Sequence, residues 1–322
     1  MKKVLYLECK TGAAGDMLMG ALYSLLTEEQ KAEFLEKMNQ IREDVHVIPQ
    51  EECKQGIGGI HMKVEINGTE EGVQEHHHHE DGHDHHDHEH MHDHHHDHDH
   101  DHHDHAEEDH GHSHDHVHSH EEAHIHNHEE AHYHEHTHGD HTHEHTHAHG
   151  HHSHTSVAAI LEQISNLDFS DPVKKHAEGI YREIAAAESK VHRTDMDQIH
   201  FHEVGSVDAL IDVVGSCLAM EMLGIEEVQA SPVCVGNGTV RCAHGILPVP
   251  APATAEIIKG MPVYSSSFDG ELLTPTGAAI LKYFVETYTK EMHMEIEEIG
   301  YGFGTKDFAQ LSCVRAFLGY QK

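Results

Sequence analysis

The sequence predicts an α/β protein, with mixed α+β as the variant of the same reading: a mixed sheet packed with helices and interrupted by a disordered histidine-rich insertion. Three observations predict it. Strand-like runs such as VLYLE (4–8) alternate along the chain with segments whose apolar residues recur at helical spacing. Residues 76–154 hold 39 of the 47 histidines and no lysine or arginine, so this tract cannot join a packed core. The other residues, about 240 of 322, are rich in Val, Ile, Leu, Ala and Met, enough for a sizeable core. The expected organisation is 1–75 as the N-terminal part of the α/β core, 76–154 as the insertion and 155–322 as the rest of the core.

Taken in order, VLYLE reads as a strand, and KTGAAGDM leads into a helix with Met17, Ala21, Leu22 and Leu25 on its apolar positions. A second helix is expected over 28–40, then strands near 45–49 and 60–66 around the turn QGIGG. Beyond the tract, Asp171-Pro172 opens a helix whose apolar face is Val173, Ala177, Ile180, Ile184 and Val191. Ser206 is placed to cap a helix running to about Leu223, with Val207, Leu210, Ile211, Val214 and Leu218 facing the core and Asp208 and Asp212 on another face. A strand at 228–235, the turn LPVPAP, helices near 252–259 and 276–288, and strands near 292–299 and 313–319 complete the pattern.

The formal charge of −38 overstates the acidity of the core, because 21 of the 58 acidic residues lie in the tract, leaving 37 against 20 basic residues elsewhere. That balance argues against nucleic acid or an anionic membrane as partner and favours cations. No apolar run approaches a membrane span, and the run at Met1–Tyr6 is too short for a signal-peptide core. Cys9, Cys53, Cys217, Cys234, Cys242 and Cys313 form no CxxC pair, so a reducing cytoplasm is the expected compartment.

The tract alternates histidine with Asp, Glu, Thr or Ser, as at His94, His96, His98 and His100. Neutral imidazoles suit nickel, copper, zinc and cobalt, so the tract is expected to bind such ions, as a reservoir or as a solvated spacer that binds them incidentally. HFHEVGSVDALID (200–212) offers a second candidate site. If 199–203 is extended, His200 and His202 point to one side, and a turn at Gly205 brings Asp208 and Asp212 towards the same rim. Glu203 needs a turn to join them. The competing reading has buried structural histidines, Glu203 bonded near the helix start and solvated aspartates. Cys242 and His244 in CAHG repeat the i, i+2 spacing. Two glycine loops complete the set. Gly12 to Gly15 could present backbone amides to a phosphate, or Asp16 could satisfy those amides itself. In GYGFGTKD, Gly302, Gly304 and Lys306 suit close approach to an anion, although a glycine-rich hairpin looks the same.

Together, GAAGDM (12–17), HFHEVGSVDALIDVVG (200–215), CAHGILPVPAPAT (242–254), ELLTPTGAA (271–279) and GYGFGTKDF (300–308) resemble the LarC-type nickel insertion family, in the order in which that family carries them. The resemblance implies nickel insertion into pyridinium-3,5-bisthiocarboxylic acid mononucleotide, with dependence on CTP and a divalent cation accompanying the nucleotide. It further implies lactate racemase, or a similar apoenzyme, as recipient of the finished nickel-pincer cofactor, and it is compatible with a homo-oligomer. His200, His202, Glu203 and Asp208 become candidates for holding nickel and for accepting the proton lost from the pyridinium carbon. Asp212, Cys242 and His244 are further candidate ligands, while Gly12, Gly15, Asp16, Gly302, Gly304 and Lys306 are candidates for the nucleotide. The chain departs from the pattern at Glu8, Ala14 and QLSCVR (310–315), and relatives continue into a C-terminal region associated with nucleotide handling. The alternative reading is a nickel storage protein or metallochaperone acting mainly through the tract. A metal-dependent hydrolase using His200, His202 and Asp208 is the weaker third.

Overall fold

A computed structural model describes residues 1–70, 155–201, 204–306, 308 and 310–321. The histidine tract, with its expected disorder and metal binding, lies outside the described residues. Strand β1 (Lys2–Glu8) buries Val4, Leu5, Tyr6 and Leu7 and leads through the glycine loop into α1 (Gly15–Ser24). Helix α2 (Glu28–Met38) starts at a capping box in which Thr27 accepts from Gln30 N–H and Gln30 accepts from Thr27 N–H. Strands β2 (Val45–Lys54) and β3 (Ile57–Ile66) are longer than expected, because Gln55-Gly56, both at positive φ, makes a two-residue hairpin turn. Asn67-Gly68 repeats the turn into β4 (Thr69–Glu70).

Past the insertion, β5 (Thr155–Ser156) leads into α3 (Val157–Asn166), and α4 (Asp171–His192) begins at the Ser170 cap with proline in its first turn. Strand β6 (His200–Phe201) pairs with β5, confirming extended backbone at that point. Helix α5 (Val207–Leu223) is capped as expected by Ser206, whose hydroxyl accepts from Ala209 N–H, and it stops at Gly224 in the left-handed region. It is apolar nearly all round, and 13 of its 17 residues are buried, so it runs through the core rather than along the surface.

The expected strand at 228–235 is in fact two, β7 (Glu227–Ala230) and β8 (Val233–Asn237), which belong to different sheets. Pro232 between them has no N–H to continue the ladder. Then follow β9 (Thr239–Cys242), β10 (Gly245–Pro248), α6 (Pro252–Ile257), β11 (Val263–Ser265), β12 (Gly270–Glu271) and α7 (Pro275–Phe284). The helix expected to reach 288 ends at Phe284, and Val285–Tyr288 instead form β13, an edge strand on β7; Val285, Thr287 and Tyr288 favour that pairing. Strands β14 (Glu295–Phe303) and β15 (Cys313–Gln321) close the chain.

The main sheet is mixed, in the order β13-β7-β1-β15-β14-β3-β2, with β4 on β3. β1, β7 and β13 are mutually parallel, and β15 inserts antiparallel between β1 and β14. Helix α1 lies across β14 and β3 and packs its other side on α5. Glycines make that approach possible. A Cβ on Gly302 would overlap the Met17 carbonyl, and one on Gly300 would overlap the Ala21 carbonyl.

Candidate functional site

The close packing of α1 on α5 brings together two aspartates from separate motifs. Gly15 lies against the Asp212 carboxylate, where a Cβ would overlap it. Asp16, the next residue, donates its backbone N–H to Asp212. Asp212 is only 5% exposed, and its Oδ1 has no hydrogen-bond partner among the described residues. Burial, followed by the nearby charges of Asp208 and Asp16, pushes the Asp212 carboxyl well above the usual carboxylate range. Burial also raises Asp16, against the opposing effect of its hydrogen bonds. Facing them, Tyr181 of α4 is fully buried, its hydroxyl has no partner among the described residues, and its acidity is suppressed by burial and by Asp212 and Asp208.

Asp16 is held by a second network that sequence reasoning missed. Its Oδ1 accepts from Met17 N–H at 2.7 Å, and its Oδ2 accepts from Thr305 N–H at 3.1 Å and lies 3.3 Å from the Thr305 hydroxyl. The same hydroxyl is 3.3 Å from Nε2 of the buried His61, whose Nδ1 is 3.1 Å from Glu52 Oε1. Lys54 pairs with Glu52 at 3.4 Å and donates to the Gly304 carbonyl at 3.1 Å. The loop after β14 is thereby tied to the hairpin β2–β3 across Asp16. The sequence carried one faint signal of this, a lone histidine inside a strand, and such a residue has no distinguishing spacing.

The expected residues fall into three groups. Gly12, Gly15, Asp16, Asp212, Gly302 and Gly304 meet around the start of α1, and Asp208 stands half-buried in the first turn of α5, close enough to bias Asp212 and Tyr181. Gly12 has φ +93 and lies against the Leu272 carbonyl, so the ELLTPTGAA block packs on the GAAGDM loop. Asp16 itself takes up an amide of its own helix start, as the self-capped reading expects. Of the two readings of HFHEVGSVDALID, solvated aspartates do not describe Asp212, which is buried. His200 is exposed, next to the buried Phe201 that contacts Tyr181 with ring centroids 5.9 Å apart. His202 and Glu203 lie outside the described residues. Cys242 is half-buried and His244 exposed at the β9–β10 hairpin, where the His244 ring lies 5.0 Å from that of His192 at the end of α4. Lys306 is exposed beyond Thr305. Among the described residues, no group of three or more His, Cys, Asp or Glu is set to hold a metal ion. No helix among them is long and apolar enough to cross a membrane.

The fold and site define a mixed α/β protein with a buried carboxylate, Asp212, and the half-buried Asp16 and Asp208 gathered where two helices begin. A family model described as nickel insertion protein matches residues 5–142 and 136–322, and the chain belongs to that family. It is 43% identical over 160 residues to a putative nickel insertion protein of Dictyoglomus thermophilum, covering 50% of this chain and 42% of that one. A putative nickel insertion protein of Geotalea daltonii is 47% identical over 163 residues, with 50% and 42% covered. A pyridinium-3,5-bisthiocarboxylic acid mononucleotide nickel insertion protein of Clostridium kluyveri is 44% identical over 159 residues, with 49% and 40% covered. The matched part spans about two fifths of the length of these curated relatives. No solved structure matches the chain.

Proposed function

We propose that this chain inserts nickel into pyridinium-3,5-bisthiocarboxylic acid mononucleotide as part of a CTP-dependent cytoplasmic enzyme, and that lactate racemase or a similar apoenzyme receives the product. The observation that carries this reading is the buried carboxylate of Asp212, whose Oδ1 has no partner among the described residues, beside Asp16 where the ELLTPTGAA and GYGFGTKDF blocks pack on the GAAGDM loop. The relatives' names supply the substrate. Nickel and the mononucleotide are both substrates here, and any divalent cation would accompany the CTP.

The chemistry has two demands. Nickel must be delivered by exchangeable ligands, and one proton must leave the ring carbon as one nickel-carbon bond forms. An ordinary exposed carboxylate is a weak proton acceptor at neutral pH. Burial raises both Asp212 and Asp16, and the charges of Asp208 and Asp16 raise Asp212 further, which suits them to take that proton. In this reading His200, His202, Glu203 and Asp208 hold the incoming nickel, and the histidine tract supplies it. Cys242 and His244 are further ligands in this reading, apart from the others at the β9–β10 hairpin. Storage alone would leave the buried carboxylates and their network without a role.

The test is to incubate the purified chain, and a C-terminally extended product, with nickel, CTP and the bisthiocarboxylate mononucleotide, and to follow metallated product by mass spectrometry. The expected product gains one nickel and loses the ring proton, and Asp212→Asn abolishes it. If neither protein forms it, the reading fails.

A further inference from the structure

A second concave site is lined by neither Asp16 nor Asp212. Its lining comes from the carboxyl ends of all three parallel strands: Tyr6 and Lys10 at the end of β1, Ser231 and Pro232 after β7, and Lys290 after β13. Pro262, Val263 and Tyr264 of the segment entering β11 form the facing wall. The cavity is about 550 Å³, in the range of small-molecule pockets.

Its position has a topological cause. From β1 the chain crosses to β2 on one side of the sheet, and from β7 it goes to β13 on the other. Adjacent parallel strands whose connections diverge leave a crevice between their carboxyl ends, and ligands of open α/β sheets bind in such crevices. Two hydrogen bonds hold the crevice in shape: Tyr264 donates to the Lys10 carbonyl at 3.0 Å, and Tyr6 donates to the Thr289 carbonyl at 3.1 Å.

The lining dictates the ligand. Two prolines, a valine and two tyrosine rings offer flat apolar walls for a planar ring, and Tyr264 is 42% exposed. Lys290 and Lys10 both line the opening, the Lys10 ammonium pairing with Glu8 Oε1 at 2.6 Å. A planar ring joined to a dianion meets both features. Lys10 is also six residues from Asp16, so a ligand seated here is linked by one short loop to the buried carboxylates.

We propose that the crevice at the carboxyl ends of β1, β7 and β13 binds an anionic mononucleotide carrying a six-membered aromatic ring of the pyridine type. The walls take the ring, and Lys290, with the Glu8-paired Lys10 beside it, takes the phosphate. This rests on the insertion reading for the choice of pyridine over pyrimidine.

Nicotinic acid mononucleotide, titrated calorimetrically into the full chain with EDTA present, is the probe. Binding is expected, weakening as salt rises, at least tenfold weaker in Lys290→Glu and in Tyr264→Ala, and retained in Tyr264→Phe. Both positions are exposed, and circular dichroism checks that the variants fold. No binding by the intact chain, equal binding by all variants, or binding of cytidine monophosphate in place of the probe overturns the proposal. The insertion assay separates the two readings. Insertion at wild-type KM in Lys290→Glu and Tyr264→Ala removes the crevice and leaves insertion standing, whereas probe binding lost in the variants without insertion by any product removes only the latter.

Discussion

Asp212 is where stability and chemistry conflict. Its carboxyl is buried with one oxygen unpaired, an arrangement that costs roughly 1–3 kcal/mol. The sign of the pH effect follows from the raised folded-state value: stability is greatest while the group is protonated and falls as pH rises above the usual carboxylate value of 3.8. Asp212→Asn is therefore expected to raise the melting temperature at neutral pH and to flatten its decline with pH, while removing insertion. Thermal unfolding across pH 4–8 reads the first effect. His61 has the opposite character, since both ring nitrogens are engaged. His61→Ala is expected to cost about 1–3 kcal/mol and to speed amide exchange at Thr305, whose hydroxyl loses its anchor. Unchanged exchange there would show that Asp16 alone holds the loop.

Helix α1 depends on small residues below and beside it. Because a Cβ on Gly302 meets the backbone of α1 rather than a flexible side chain, Gly302→Ala must displace the helix and so carry Asp16 away from Asp212. The expected result is loss of several degrees in melting temperature together with insertion. At the other end of the same reasoning, Ala14 is the N-cap of α1 and offers no side-chain acceptor. Ala14→Ser is expected to add about 1 kcal/mol, measured by urea unfolding, by taking an amide that Asp16 now shares.

For the whole molecule, charge and imidazole chemistry dominate. Deleting residues 76–154 is expected to leave a folded core and to lower nickel stoichiometry sharply, because the tract has no apolar pattern with which to contribute packing. Nickel bound through imidazole must fall between about pH 7 and pH 5, since unperturbed histidine titrates near 6.5 and binds metal only when neutral. Equilibrium dialysis against pH is expected to show a large early release from the intact chain and a smaller, later one from the deleted chain. Coincident curves per bound nickel would mean that no better organised site exists in the core.

Local chemistry was enough to read the strand-loop-helix start, the Ser206 cap, the Asp171-Pro172 helix start, the apolar face of α4 and the five motif blocks, because caps, periodicity and turn residues act over a few positions. Those signals also named Asp16 and Asp212 separately. Where the sequence was silent, long-range packing made the decision. A single expected strand at 228–235 became strands of two sheets, and the end of a helical stretch became β13, because neighbouring strands offered a ladder. The pairing of Asp16 with Asp212, the anchoring of both loops through His61, and the crevice where β1, β7 and β13 end all join residues tens to hundreds of positions apart. Short-range spacing carries no record of such meetings; only the close approach of α1 to α5 and the order of the strands bring them about.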